Sequence, residues 1–133
     1  MADTVLTPNQ INFLTEKIIG CAIEVHRAIG PGLLESAYEE CLCYEMANCG
    51  LAFRRQVPLP VIYKEVKLDC GYKLDIIVEN AVVLEIKAVE RLISVHEAQL
   101  LSYLRMLNLR VGLLLNFHSS VLKDGIKRMV NNF

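Results

Sequence analysis

The chain of 133 residues is 53% hydrophobic and 22% charged, a composition that suits one globular domain and excludes both disorder and a second sizeable domain. Its longest charge-free runs, 4–15 and 111–122, fall short of the roughly 18 apolar residues needed to cross a bilayer. The net charge of −1 hides an asymmetry: residues 1–50 hold two basic and seven acidic side chains and residues 51–133 hold twelve and eight, so a polyanion would meet the second part.

Thr7-Pro8-x-Gln10 supplies an N-cap, a proline at the first helical position and a capping-box partner. The predicted helix carries Ile11, Leu14, Ile18, Ala22, Val25 and Ile29 at helical spacing and stops at Gly30-Pro31. A second helix is expected from about Leu33 to Cys49, with Leu34, Tyr38, Cys41 and Leu42 inward and Gly50 just past its end. Val57 to Tyr63 reads as extended, and Pro58 and Pro60 confine it to an edge. Lys64-Glu65 is turn-like.

Tyr72–Val78 and Ala81–Ala88 are rich in β-branched residues and read as a hairpin around Glu79-Asn80. Inward Leu74, Ile76 and Val78 match Val82, Leu84 and Ile86 only if paired positions sum to 160, which requires three loop residues or a bulge. Asp75 then faces Glu85, and Lys73 faces Lys87. Ser94-x-x-Glu97 is a capping box opening a third helix with Leu100, Leu101, Leu104 and Leu107. Leu109–Phe117 is the nearly continuous apolar run of a strand buried on both faces. A last basic helix is expected within 121–131, carrying Lys123, Lys127 and Arg128. The expected class is α/β (α+β), in the order α-α-β-β-β-α-β-α.

Strand alternation makes Glu85 and Lys87 point the same way while Ile86 enters the core. With Asp75 on the neighbouring strand, two carboxylates and an ammonium gather on one face. Carboxylates so close repel unless a cation joins them, and a hard divalent ion such as Mg²⁺ takes oxygen ligands of this kind. A second Glu-x-Lys, Glu65-Val66-Lys67, lies in a turn-like place where a solvated ion pair is the natural reading. Cys21, Cys41, Cys43, Cys49 and Cys70 are an odd set and read as reduced, mostly buried thiols. Cys41-x-Cys43 lacks the spacing of a zinc knuckle. MADTVLTPNQ has neither a basic leader nor an apolar signal core, so a cytoplasmic location is expected.

Gly32-Leu33-Leu34-Glu35-Ser36-Ala37-Tyr38 resembles the signature of the GxxExxY proteins, a branch of the PD-(D/E)XK nuclease superfamily. The resemblance continues through Val25-His26, Gly30-Pro31-Gly32, Arg55-Gln56-Val57-Pro58, Leu74-Asp75, Glu85-Ile86-Lys87-Ala88, Gln99 to Leu104, Asn116-Phe117 and Gly125 to Arg128. It implies one nuclease-like domain over 1–133, with a restriction-endonuclease-like core of about four strands in a mixed central sheet flanked by helices. By the same resemblance Asp75 and Glu85 are metal ligands, with the Ile86 carbonyl oxygen as a third, Glu35 the first-helix acid that approaches the metal directly or through water, and Lys87 the catalytic lysine. Gln99 would hold the site or the substrate backbone. His118 departs from the small residue, usually glycine, expected after Asn116-Phe117.

Accessory roles are weighed for Tyr38, which could bond a site carboxylate or pack in the core, and for His96, which could face the site or solvent. His26 fits capping or packing better than catalysis. The implied activity is Mg²⁺-dependent phosphodiester hydrolysis, with Mn²⁺ as substitute, on nucleic acid, DNA before RNA. Lys73, Lys123, Lys127 and Arg128 are the candidate nucleic-acid contacts. The alternative from another class is a catalytically silent nucleic-acid-binding or protein-interaction module on the same fold. Its support is the modest positive charge, since neutralising several phosphates takes a clear basic surface. A homodimer stands beside a monomer, since two-fold pairing would give two sites for two strands.

Overall fold

The computed structural model describes residues 5–133. Helix α1 (Pro8–Ile29) begins as its capping box dictates: the Gln10 N–H donates to Thr7 Oγ1 at 3.2 Å and the Thr7 N–H to Gln10 Oε1 at 2.8 Å. Ile11, Leu14, Ile18, Ala22 and Val25 are buried, and the left-handed Gly30 (φ +66°) ends the helix. Helix α2 (Glu35–Asn48) buries Tyr38, Leu42, Cys43 and Met46. Leu34, expected inward, is instead 76% exposed, because it stands at the helix's N-cap rather than on its inner stripe.

The strands are β1 (Phe53–Pro58), β2 (Val61–Tyr63), β3 (Val66–Leu68), β4 (Lys73–Val78), β5 (Val82–Lys87), β6 (Val111–Asn116) and β7 (Ile126–Val130). Five of them form a sheet in the order β1-β4-β5-β6-β7. Only β5 and β6 run parallel, as they must when helix α3 (Ser94–Leu107) carries the chain from one to the other. This is the expected mixed α/β arrangement, a central sheet flanked by helices. β2 and β3 pair only with each other, turning at Lys64-Glu65 as the sequence indicates.

The β4–β5 hairpin has the derived register: Val78 pairs with Val82, Ile77 with Val83 and Ile76 with Leu84, around a three-residue loop in which Glu79 and Asn80 adopt positive φ. Ile76, Val78, Val82, Leu84 and Ile86 pack towards α1 and α2, while Ile77, Val83 and Leu114 pack with α3 residues Leu100, Tyr103 and Leu104. Leu74, expected on the first of these faces, belongs to the second. The reason lies opposite Asp75, where Gln56 of β1 takes a positive φ (+49°) and interrupts the ladder between Arg55↔Ile76 and Val57↔Leu74.

The expected last helix is absent. A short 3₁₀ turn, Leu122–Gly125, leads into β7, which pairs antiparallel with β6. Local sequence favours neither state strongly, and pairing wins because it covers the row of backbone donors and acceptors that β6 would otherwise present at an open edge. Lys127 and Arg128 consequently point to opposite faces and form no single basic stripe. Helix α3 also starts differently from the capping box read at Ser94: Ser94 is its first residue, and His96 Nδ1 accepts the Ile93 N–H at 3.1 Å.

All five cysteines are free thiols. Cys21 and Cys43 are buried as expected, whereas Cys49 and Cys70 are exposed. Burial, aided by the Cys49 thiol 3.6 Å away, pushes the Cys21 thiol up to about 12.

Two glycines should respond oppositely to substitution. Gly20 lies on the exposed face of α1 with open space where a Cβ would go, so Gly20→Ala should stabilise by about 0.5–1 kcal/mol. At Gly125 a Cβ would run into the Asn116 carbonyl oxygen and Ser119 Oγ, so Gly125→Ala should destabilise by about 1–3 kcal/mol. Urea unfolding of the two variants measures both signs.

Candidate active site

The register that stops at Ile76↔Leu84 delivers Asp75 and Glu85 to the end of the β4–β5 seam. There, side chains replace the backbone ladder. The Asp75 N–H donates to Glu85 Oε2 at 2.9 Å, and the Ile86 N–H donates to Asp75 Oδ2 at 2.8 Å. Each carboxylate thus satisfies an N–H of the opposite strand with one oxygen, while its second oxygen makes no hydrogen bond among the described residues.

Burial sets the electrostatics. Glu85 is 5% exposed, and desolvation, reinforced by the neighbouring Asp75 charge, pushes its carboxyl up to about 8. Asp75 is raised as well, by desolvation first, against the downward pull of the Ile86 N–H. Lys87 acts on both carboxyls in the opposite sense, favouring their charged forms, and Glu35 raises both. Lys87 and Glu35 therefore lie within electrostatic reach of both Asp75 and Glu85.

Helix α2 supplies the second wall. Glu35, Ser36 and Glu39 line a cavity of about 350 Å³ together with Gln56, Asp75 and Ile86. Glu35 Oε2 accepts the Ala88 N–H at 3.2 Å, which ties the start of α2 to the residue after Lys87. Asn116, at the end of β6, fastens the same loop: its Oδ1 accepts the Val89 N–H and its Nδ2 donates to the Val89 carbonyl. The Phe117 N–H donates to the Lys87 carbonyl at 2.9 Å.

Glu39 escaped the sequence reading. It is 7% exposed, receives Nε and Nη2 of Arg55 and Nε2 of Gln56, and contributes to raising Asp75. Its signal was available, since Glu39 lies four residues after Glu35 and hence on the same face of α2. Tyr103 was also missed; burial first, then the Glu85 charge, pushes its hydroxyl up to about 12.

Other expected residues sit elsewhere. Gln99 lines a separate groove with Val61, Tyr72, Ser102 and Tyr103, not the cavity that holds Asp75. Tyr38 makes no bond to a site carboxylate. Its hydroxyl donates to the Gly30 carbonyl at 2.6 Å and accepts the Leu33 N–H at 3.1 Å, and its ring stacks on Phe117, so it fixes the turn that aims α2. His96 is spent on the start of α3, and His26 Nε2 bonds the Ser119 carbonyl at 2.7 Å. Lys73, Lys123 and Lys127 are exposed. Arg128 is partly buried and donates to Thr15 Oγ1 and Asn12 Oδ1 of α1, which engages it in the fold.

The donor set suits a hard cation in kind: a buried and a half-buried carboxylate, both with raised proton affinity and each with an oxygen to spare. Among the described residues no three acidic, histidine or cysteine side chains are already gathered at the spacing of a metal cage. A family model of the PD-(D/E)XK nuclease superfamily matches residues 12–129. Neither a curated protein nor a solved structure matches the chain.

The raised Glu85 carboxyl fixes a pH dependence. In the unfolded chain Glu85 ionises near 4.5, and in the fold only near 8, so between those values the folded state holds the extra proton. Stability from this group is present in acid and falls as pH rises from about 4.5 to about 8. Glu85→Gln, measured by thermal unfolding in chelator, should flatten that fall and raise the midpoint relative to wild type at pH 8.

Proposed function

Because the chain belongs to the PD-(D/E)XK nuclease superfamily, we propose that it is a divalent-metal-dependent nuclease of the GxxExxY branch, a single domain that hydrolyses nucleic-acid phosphodiester bonds, DNA rather than RNA. The observation that carries the reading is the carboxylate pair of Asp75 and Glu85 closing the β4–β5 seam, with Lys87 beside it on β5. Superfamily members typically use Mg²⁺ or another divalent metal. Here Asp75, Glu85, the Ile86 carbonyl oxygen and Glu35 would hold it. Once bound it would polarise the phosphate and lower the pKa of a water molecule.

The protein's own groups do the rest. Asp75 and Glu85 are held by backbone donors on facing strands, so they cannot swing away from the seam. Lys87 places an ammonium where negative charge grows on the phosphate as water attacks and the bridging oxygen leaves, a contribution worth about 10²–10³ in rate for a well-placed donor. Water adds across the P–O bond to give a phosphate monoester and an alcohol. Gln99, outside the cavity, is assigned to the substrate side, where its groove could meet the nucleic-acid backbone.

The silent binding module has two observations in its favour. No three-ligand cluster is preformed among the described residues, and the fold already uses one oxygen each of Asp75, Glu85 and Glu35 to satisfy a backbone N–H. Cleavage of a panel of single- and double-stranded DNA and RNA with Mg²⁺, Mn²⁺ or chelator separates the two readings. Metal-dependent products are expected, and their absence on every substrate would favour the module. The two key residues should also fail differently. Asp75→Ala should weaken Mn²⁺ binding in titration calorimetry, whereas Lys87→Ala should bind Mn²⁺ as wild type does and cleave about 10²–10³ times more slowly. Equal Mn²⁺ affinity for wild type and Asp75→Ala would remove Asp75 from the ligand set.

A further inference from the structure

Two cysteines meet where α1 passes the end of α2. Cys21, on α1, donates its S–H to the sulfur of Cys49, at the C-cap of α2; the sulfurs are 3.6 Å apart and the residues 28 positions apart. Cys21 is 5% exposed, whereas Cys49 is open to solvent. No other two sulfurs are in contact among the described residues. Cys41 and Cys43 stand two apart on α2 and so do not face each other, and Cys70 lies in the loop between β3 and β4.

Packing accounts for Cys21, which belongs to the core with Ile18, Ala22 and Leu42. It does not account for Cys49, because a thiol at an exposed helix end gains nothing from burial and is open to oxidants. The backbone holds the two in place. The Cys49 N–H donates to the Glu45 and Met46 carbonyls, and the Cys49 carbonyl accepts the Lys17 ammonium at 3.3 Å. Lys17 lies one turn before Cys21, so α1 meets Cys49 both at its carbonyl and at its sulfur. The charges that bear on Cys21 are those of Lys17 and Glu45, which act in opposite senses. Two sulfurs already in contact need only a side-chain rotation to reach bonding distance.

We propose that Cys21 and Cys49 are a reversible redox pair, oxidised by a hydroperoxide to a disulfide that clamps α1 to the end of α2. Cys49, the sulfur an oxidant reaches, attacks one peroxide oxygen. The O–O bond breaks, that oxygen stays on sulfur as a sulfenic acid, and the other takes the thiol proton and leaves as water when the peroxide is hydrogen peroxide. Cys21 then attacks the Cys49 sulfur: the S–S bond forms as the S–O bond breaks, and the departing hydroxide takes the Cys21 proton to give a second water. The pair loses two electrons and two protons, the peroxide gains them, and a dithiol reductant reverses the change. Burial, which pushes the Cys21 thiol up to about 12, suits it to the second step rather than the first. The closed loop contains Glu35, Glu39 and the Tyr38 clamp, so oxidation braces the helix that walls the carboxylate cavity and touches none of its carboxylates. None of this depends on the nuclease reading.

The test treats reduced, desalted protein with a slight excess of hydrogen peroxide, blocks the remaining thiols with N-ethylmaleimide in denaturant, and maps disulfides by mass spectrometry, beside thermal unfolding without reductant. A bond between Cys21 and Cys49 of the same chain is expected in wild type and in Cys41→Ser/Cys70→Ser, absent in Cys49→Ser and removed by dithiothreitol. The oxidised protein should melt about 5–10 °C above the reduced one, a shift that Cys49→Ser does not show. Cys21→Ala serves as the second variant if Cys49→Ser disturbs the fold. Full alkylation of both thiols after peroxide would overturn the pair, as would Cys49 driven to sulfinic acid beside a free Cys21. So would a bond to another cysteine or between chains, and so would an oxidised protein that melts no higher than the reduced one.

Discussion

A hydrogen-bonded ladder between two strands is broken at one place, and two acids mend it. At the end of the β4–β5 seam Asp75 and Glu85 each accept a backbone N–H from the opposite strand, where a carbonyl would ordinarily do so. Buried backbone donors need acceptors, so this substitution makes the carboxylates part of the sheet. It also buries a carboxyl beside another, and desolvation, reinforced by the Asp75 charge, pushes the Glu85 carboxyl up to about 8. The rest of the site arranges itself around that tension.

The surrounding elements distribute the charge. Helix α2 brings Glu35 to the backbone after Lys87 and Glu39 to the cavity wall, while Arg55 and Gln56 of β1 bind Glu39 from the other side. The interrupted ladder at Gln56 makes this reach available, and the same irregularity sends Leu74 to the α3 side of the sheet. Tyr38 sets the angle at which α2 arrives by clamping Gly30 and Leu33 with one hydroxyl and lying flat on Phe117. An apolar stack and a turn thus decide where two carboxylates stand.

The sequence was most informative where local chemistry and tertiary packing agree. The capping box at Thr7, the buried run of β6 and the hairpin register all follow from alternation, helical spacing or turn length, and these survive folding because burial rewards them. It misled where pairing overrides propensity. Nothing within Ile126 to Val130 announces a strand; the open side of β6 imposes one. Asp75, Glu85, Lys87 and Glu35 could be nominated from alternation and family resemblance, whereas Glu39 depended on a helix phase that was read only for Tyr38. Gln99 sits outside the cavity because matching a motif position fixes its helix but not the direction in which that helix turn faces.

The bonds from Arg128 to Asn12 and Thr15 join residues 116 and 113 positions apart. Closing so long a loop carries an entropic cost that only previously formed structure can offset, and a growing chain cannot attempt it until β7 has been synthesised. Up to that moment β6 has β5 on one side and an open edge on the other. The interval between the two is when this protein is most exposed to pairing with a strand of another chain. In that sense β7 guards the folding pathway: it covers the open side of β6 and, through Arg128, locks α1 in place.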